Sequence, residues 1–142
     1  MQVNILLLSI RPEYANKIFD GTKKVELRRV RPRLSKGDLV IVYVSSPKKA
    51  VLGSFTVDKI IEEPILELWN QVWNKAGITL AEFDSYYEGA SVGFGILLKK
   101  PNRFEIPVSL ERLREKWIDF RPPQSYHYLT DSEYEIVKSL GQ

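Results

Sequence analysis

Lys24-Val25-Glu26-Leu27-Arg28 alternates charged and apolar residues directly after a Gly21-Thr22 turn. An alternation with a period of two is the signature of a half-buried strand. It puts Val25 and Leu27 on a core face and Lys24, Glu26 and Arg28 in a row on the other, with neighbours about 6.5–7 Å apart at Cα. Glu26 can then pair with Arg28, or with Arg11 across the fold. Strict alternation places Lys23 with Val25, unless the Gly21-Thr22 turn releases it to the charged side.

Upstream, Val3–Ile10 is a nearly continuous apolar run, as expected of a strand buried on both faces. It is too short to span a bilayer, Arg11 ends it, and no basic leader or small-residue cleavage site frames it. Pro12 suits the first turn of a helix, with Ser9 placed to hydrogen-bond into that turn. The helix runs to about Phe19 on a stripe of Tyr14, Ile18 and Phe19, and Asp20-Gly21 stops it. Downstream, a basic loop from Arg29 to Lys36 closes at Gly37-Asp38. Leu39–Val44 reads as a central strand ending at Ser45-Ser46-Pro47, and Ala50–Ile61 as another, bent at Gly53. From Glu62 to Gly89 the chain turns acidic and helical: Leu66, Trp69, Trp73 and Ala76 fit a 3.6 period. Thr79 and Glu82 spell a capping box for a second short helix. Ser91–Lys99 and Phe104–Val108 are the last strands, and Ser109–Trp117 is helical with Glu111, Arg112 and Arg114 outward. Pro122-Pro123 breaks the chain, and Asp131 caps a final helix to about Leu140.

Five or six short strands around a helical insertion predict an α+β fold with a partly closed β-barrel, short flanking helices and a ligand site at its mouth. At 142 residues with 44% apolar content, residues 1–142 are expected to form one domain. The absence of cysteine excludes disulfides, thiolate metal sites and Cys nucleophiles, and suits the cytoplasm. The net charge is +3, yet Arg11–Lys36 alone holds nine Lys or Arg against three Asp or Glu. That segment therefore carries +6 and the remainder −3. Such asymmetry suggests an anionic partner for the basic segment, against the alternative of a solvated, salt-bridged surface.

Ser9-Ile10-Arg11-Pro12-Glu13-Tyr14, followed by Ile18, Gly21, Lys23, Glu26 and Arg28, resembles the opening of ASCH domains: a strand, a short helix, then G-x-K-x-x-E-x-R leading into a strand. Gly37-Asp38, Tyr43-Val44-Ser45-Ser46-Pro47, Gly53, Gly93-Phe94-Gly95-Ile96 and Pro122-Pro123-Gln124-Ser125-Tyr126 are similar to a prokaryotic branch of that family. The resemblance runs along essentially the whole chain. It implies a PUA-like β-barrel, a cleft lined by the Lys, Glu and Arg of the motif, and a role in RNA metabolism or transcriptional coregulation.

On this reading Arg28, Lys23 and Lys24 hold phosphate while Glu26 accepts from a base or ribose donor. The alternative is a surface ion-pair ladder worth about 0–1 kcal/mol. Arg29, Arg31 and Arg33, around Pro32, either clamp backbone phosphates or form a solubilising loop. Lys48 and Lys49, after the Ser45-Ser46-Pro47 turn, are expected to extend the same patch. Tyr43 and Tyr126 are candidate stacking platforms, with Ser45, Ser46 and Ser125 as phosphate or base-edge partners; for Tyr43 the alternative is a core tyrosine. Trp69, Trp73 and Trp117 read as packing residues.

No catalytic residue is assigned. A related group of ASCH-like amidohydrolases acts on acetylated cytidine through a Lys, a Thr three residues later and a distant Glu. Lys23 keeps the first, Glu26 stands at the second and the third falls near Ala76, so that activity is not carried over. Other ASCH-like proteins are ribonucleases, for which Lys23, Tyr43 and Ser45 offer a set. If this protein is an enzyme, the residues to expect are Lys23, Glu26 and Tyr43, with Lys23 or Lys24 and Glu26 as an acid/base pair. His127 is the only histidine, which makes neither a His₂ metal site nor a triad. No phosphate-binding loop, dinucleotide motif or zinc spacing is present, so no metal or cofactor is expected. The expected partner is RNA or a nucleotide, without a membrane, and with a protein partner as an alternative through the acidic helices of 62–88.

Overall fold

The computed structural model describes residues 3–142. In chain order its elements are β1 (Ile5–Ile10), α1 (Pro12–Phe19), β2 (Val25–Arg28), β3 (Leu39–Val44), β4 (Ala50–Pro64), α2 (Ile65–Val72), α3 (Leu80–Tyr86), β5 (Val92–Ser109), α4 (Leu110–Lys116), β6 (Tyr126–Tyr128) and α5 (Asp131–Gly141). The strands form one curled six-stranded sheet in the order β2-β5-β4-β3-β1-β6, the expected α+β half-barrel. β1 and β3 pair in parallel, and every other neighbouring pair is antiparallel.

β3 shows why the sheet sits between layers. Val40, Val42 and Val44 enter the inner core with Leu6, Leu8, Ile10, Phe55 and Ile18 of α1. Ile41 and Tyr43 point the other way, against Leu7, Leu113 of α4 and Val137 of α5. An unbroken apolar run is what a strand covered on both faces requires. A third cluster joins Val25 and Leu27 of β2 to Leu68 and Val72 of α2 and to Phe83 and Tyr87 at α3. The alternation read in β2 is therefore correct for its apolar half.

Several elements differ from the sequence reading. β1 starts at Ile5, because the Asn4 amide donates to Asp38 Oδ1 (3.0 Å) instead of joining a ladder. Ser9 does not cap α1; its hydroxyl donates to the Pro123 carbonyl (2.6 Å), and Arg11 holds the N-cap position without a side-chain bond. Thr130, not Asp131, caps α5, its Oγ1 accepting from the Glu133 amide (3.1 Å). The two last strands are one, β5, bent at Lys100 in the left-handed region (φ 52°) and accommodated by register shifts in β4. Tyr126–Tyr128, unassigned from sequence, pairs with Leu6–Leu8. The buried residues of α2 are Leu68 and Val72, continued by Ala76 in the turn after it, while Leu66 and Trp73 are 73% and 60% exposed. Both stripes satisfy a helical period, and contact with β2 selects the first. Trp73 is thus no packing residue; Trp69 and Trp117 are, stacking on Phe83 and Phe120 at 4.8 Å each.

Gly53 marks the closest approach of β4 to β5. A Cβ there would strike the Asn102 carbonyl oxygen and lie 2.9 Å from both Arg103 Cα and Phe19 Cε1. Two of these neighbours are backbone and cannot rotate aside. Gly53→Ala should therefore cost about 1–3 kcal/mol, the usual penalty of overpacking. The readout is the urea midpoint, and an unchanged midpoint would show that the strands do not cross so closely.

Candidate functional site

The parallel strands β1 and β3 end side by side, and a cleft of about 1200 Å³ opens beyond their carboxyl ends. Parallel pairs place ligands there because the chain must leave the sheet and expose loop backbone and side chains. Ser9 and Arg11 line the cleft from β1, and Tyr43, Ser45, Ser46 and Lys49 from β3 and its turn. α3 forms the facing wall with Glu82, Ser85 and Tyr86, and Pro122 to Gln124 close one side. Four cations (Arg11, Lys23, Arg28 and Lys49) and two carboxylates (Glu26 and Glu82) share this lining.

Glu26 organises the cationic groups. Its Oε2 lies 3.1 Å from Arg28 Nη2 and its Oε1 3.9 Å from Lys23 Nζ. The Lys23, Glu26 and Arg28 side chains are only 2%, 9% and 15% exposed. Lys23 Nζ also donates to the Ala76 carbonyl (2.6 Å) and sits 5.3 Å from the centre of the Tyr14 ring. Burial pulls the Lys23 pKa below its ordinary value, and the Glu26 carboxylate opposes that shift. Arg28 reaches further. Its Nη2 donates to the Ser9 carbonyl (3.0 Å) and its Nη1 to Ser125 Oγ (3.4 Å), while its Nε is buried without a partner. β2 and β1 are not neighbours in the sheet, so Arg28 spans the open side of the half-barrel.

The α3 wall is tied down by hydroxyls. Tyr86 and Tyr87 donate to the Leu27 and Arg28 carbonyls (3.3 and 3.1 Å). Burial raises both phenol pKa values, so these hydroxyls stay protonated and able to donate. Glu82 completes the capping box with Thr79 and accepts from the Tyr14 hydroxyl of α1 (3.1 Å). Those hydrogen bonds hold the Glu82 carboxyl below its usual value, the Thr79 backbone bond contributing most.

The structure gathers Arg11, Lys23, Glu26, Arg28, Tyr43, Ser45 and Ser46 around the cleft, with Ser125 at its edge. The turn does release Lys23 to the charged side. Lys24 goes elsewhere, into a second hollow with Lys59 and Lys75. Arg29 donates to the Tyr86 and Glu88 carbonyls (2.7 and 3.0 Å), stapling its loop to the end of α3. Arg31 pairs with Glu62 (3.3 Å) in the open, and Arg33 is exposed with its carbonyl accepting from Tyr128. Lys48 is exposed away from the cleft, and Tyr126 packs on the inner core from β6. Tyr43 is 3% exposed and packs beside Phe120 (6.3 Å), as a core tyrosine does, and it still lines the cleft. Missed from sequence were Ser9, Tyr14, Glu82 and Tyr86, whereas Lys49, read as part of the basic patch, does line the cleft. The capping box gave the start of α3 but not the face it turns to the cleft.

Comparison with known proteins agrees with this geometry. The ASCH domain model matches residues 8–122. An ASCH domain-containing ribonuclease of Zymomonas mobilis is 29% identical over 134 residues, covering 94% of this chain and 90% of the relative. The crystal structure of ASCH from Zymomonas mobilis superimposes with a TM-score of 0.92 at 28% identity, covering 97% of this chain and 96% of that one. The N-terminal domain of Staphylothermus marinus McrB shares the fold at a TM-score of 0.64 and 13% identity, with 96% and 94% of the two chains covered.

The buried charges give a test of pH dependence. The folded Lys23 pKa lies below its ordinary 10.5, so between the two values the unfolded chain binds more protons. Stability should rise with pH through that window and level off above 10.5. Glu26→Gln leaves the ammonium without its carboxylate, at an expected cost of about 3 kcal/mol near neutrality. The cost should shrink as Lys23 deprotonates. Urea melts across the alkaline range check this, and a loss independent of pH would mean that Lys23 does not sense Glu26.

Proposed function

This chain belongs to the ASCH domain family, and we propose that it binds RNA in the cleft at the carboxyl ends of β1 and β3, as part of RNA metabolism or gene regulation in the cytoplasm. The observation that carries the reading is the pairing pattern of the charges. Both cleft carboxylates are engaged, Glu26 by Arg28 and Lys23, Glu82 by Thr79 and Tyr14. Arg11 and Lys49 have no ion pair among the described residues and stand at the two strand ends. A surplus of unpaired cations in a concave site attracts phosphate. Tyr14 and Tyr86, also in the lining, offer ring faces for bases. The volume of about 1200 Å³ exceeds the roughly 300–1,000 Å³ of pockets for drug-sized ligands, which suits more than one nucleotide.

A second reading, cleavage of that RNA by transesterification to a 2′,3′-cyclic phosphate, is favoured by the Zymomonas mobilis ribonuclease, which matches nearly the full length of this chain. In such a reaction a ribose 2′-oxygen attacks the adjacent phosphorus, its proton passes to a base or water, and the departing 5′-oxygen takes a proton from an acid. Tyr43 is placed to be that acid, because it reaches the cleft lining from the end of β3 and carries a phenol that is protonated near neutrality. Lys49, exposed on the same rim, is placed to offset charge on the phosphorane. Lys23 pairs with Glu26 and donates to the Ala76 carbonyl, and Glu26 is held by Lys23 and Arg28, which favours both as supports rather than proton carriers. Ala76 does stand beside Lys23, but it brings no carboxylate, so the amidohydrolase chemistry gains no support.

Binding of a labelled single-stranded RNA should weaken steeply with salt, and Lys49→Ala should weaken it further, making the slope of log K against log[salt] shallower by about 0.7. Salt-insensitive binding would contradict the cleft reading. If the wild type cleaves RNA, Tyr43→Phe should abolish cleavage and leave binding intact; turnover surviving in that variant would remove Tyr43 from the chemistry.

A further inference from the structure

Lys23 and Lys24 are consecutive, yet they serve opposite sides of one backbone turn. Lys23 Nζ donates to the Ala76 carbonyl (2.6 Å) on the cleft side. The Lys24 amide donates to the Lys75 carbonyl (2.7 Å) on the other, and Lys17 Nζ caps the Gly77 carbonyl (2.7 Å) between them. Residues 75–77 thus form a ridge whose carbonyls accept from the Lys24 amide and from the Lys23 and Lys17 ammonium groups, with Lys23 lining the cleft and Lys24 and Lys75 the second hollow.

The second hollow holds about 470 Å³. Lys24, Lys59 and Lys75 stand around it over an apolar floor that includes Val72 and Leu97. All three lysines are exposed, and none makes an ion pair among the described residues. The one acid in the lining, Asp58, lies 3.9 Å from Lys99 and is offset by it. Packing does not explain the trio: exposed, unpaired ammonium groups around a concavity repel one another and strengthen the field there. Lysine is a mobile point charge, suited to phosphate oxygens whose direction varies, where arginine would impose a fork geometry. Contacts of that kind position a chain without reading its sequence.

We propose that Lys24, Lys59 and Lys75 form a second phosphodiester-binding site, which takes the backbone of an RNA continuing out of the cleft across the 75–77 turn. This rests on the cleft reading, because the ridge joins the two hollows. The basic character of β2 is then divided: Lys23 and Arg28 serve the cleft, and Lys24 serves the continuing strand. The protein would favour RNA longer than the cleft itself can hold.

The test compares two mixed-sequence single-stranded RNAs, of about four and about sixteen nucleotides, the range of site sizes of small single-strand-binding folds. Affinities for the wild type and for a Lys24→Ala/Lys59→Ala/Lys75→Ala variant are measured by fluorescence anisotropy over a salt series. The expected result is unchanged binding of the short RNA. The long RNA should bind the variant more weakly, with a salt slope shallower by about two, since three phosphate contacts at about 0.7 each are lost. An unchanged slope for the long RNA overturns the second site and leaves the cleft reading standing. Equal weakening of both RNAs also overturns it, because the lysines would then be acting as a general field. Failure of the short RNA to bind the wild type strikes the cleft reading, a result distinguishable from either.

Discussion

Arg28 closes the one side of the half-barrel that no backbone ladder closes. β2 pairs with β5 alone, and β1 with β3 and β6, so the two ends of the sheet meet only through side chains. Arg28 bridges them with charge-assisted bonds to the Ser9 carbonyl and to Ser125, while Glu26 grips the guanidinium from its own strand. Removing three charged groups this far from water is costly, and their mutual attraction at best offsets it. What the arrangement secures is position. The seam and the floor of the cleft are the same few atoms.

The remaining parts of the cleft follow from that closure. β1 and β3 run parallel because the chain between them makes a crossover through α1 and β2. Their carboxyl ends therefore open on the side that Arg28 reaches. Within the acidic 62–88 segment, α3 is bound to β2 through the Tyr86 and Tyr87 hydroxyls and to α1 through Tyr14 and Glu82. Glu82 both caps α3 and meets the Tyr14 hydroxyl. The Lys17 and Lys23 ammonium groups meet the free carbonyls after α2, the end of a helix at which cations are favoured.

How much of this could be read from sequence depended on whether local pattern or tertiary contact decided the matter. The alternation around Val25 and Leu27, the run Leu39–Val44 and the box Thr79–Glu82 are local, and each element forms where it was expected. The burial of Leu68 and Val72 in place of Leu66 and Trp73 was not legible, because two stripes fitted one helix and only β2 chose between them. β5 runs through Pro101 because Lys100 takes a left-handed bend that no propensity announces. In the site, the motif fixed Glu26 and Arg28. The direction of Lys23 depended on Ala76, 53 positions away, and so did the separation of Lys24 from it. Arg29, Arg31 and Arg33 looked alike by charge, but their partners on α3, β4 and β6 hold them outside the cleft.

The central claim is that the seam closed by Arg28 also floors the cleft proposed to take RNA, so that a ligand bound there changes the surroundings of its guanidinium. It is tested most directly by following the Arg28 side-chain Nε–H resonance in solution while a short single-stranded RNA is added. That donor is buried and unpartnered in the free protein. A saturable shift of the resonance, together with shifts of the Ser9, Arg11 and Ser45 amides, is what the account predicts. An Arg28 signal that stays fixed while amides on the α4–α5 face respond would contradict it.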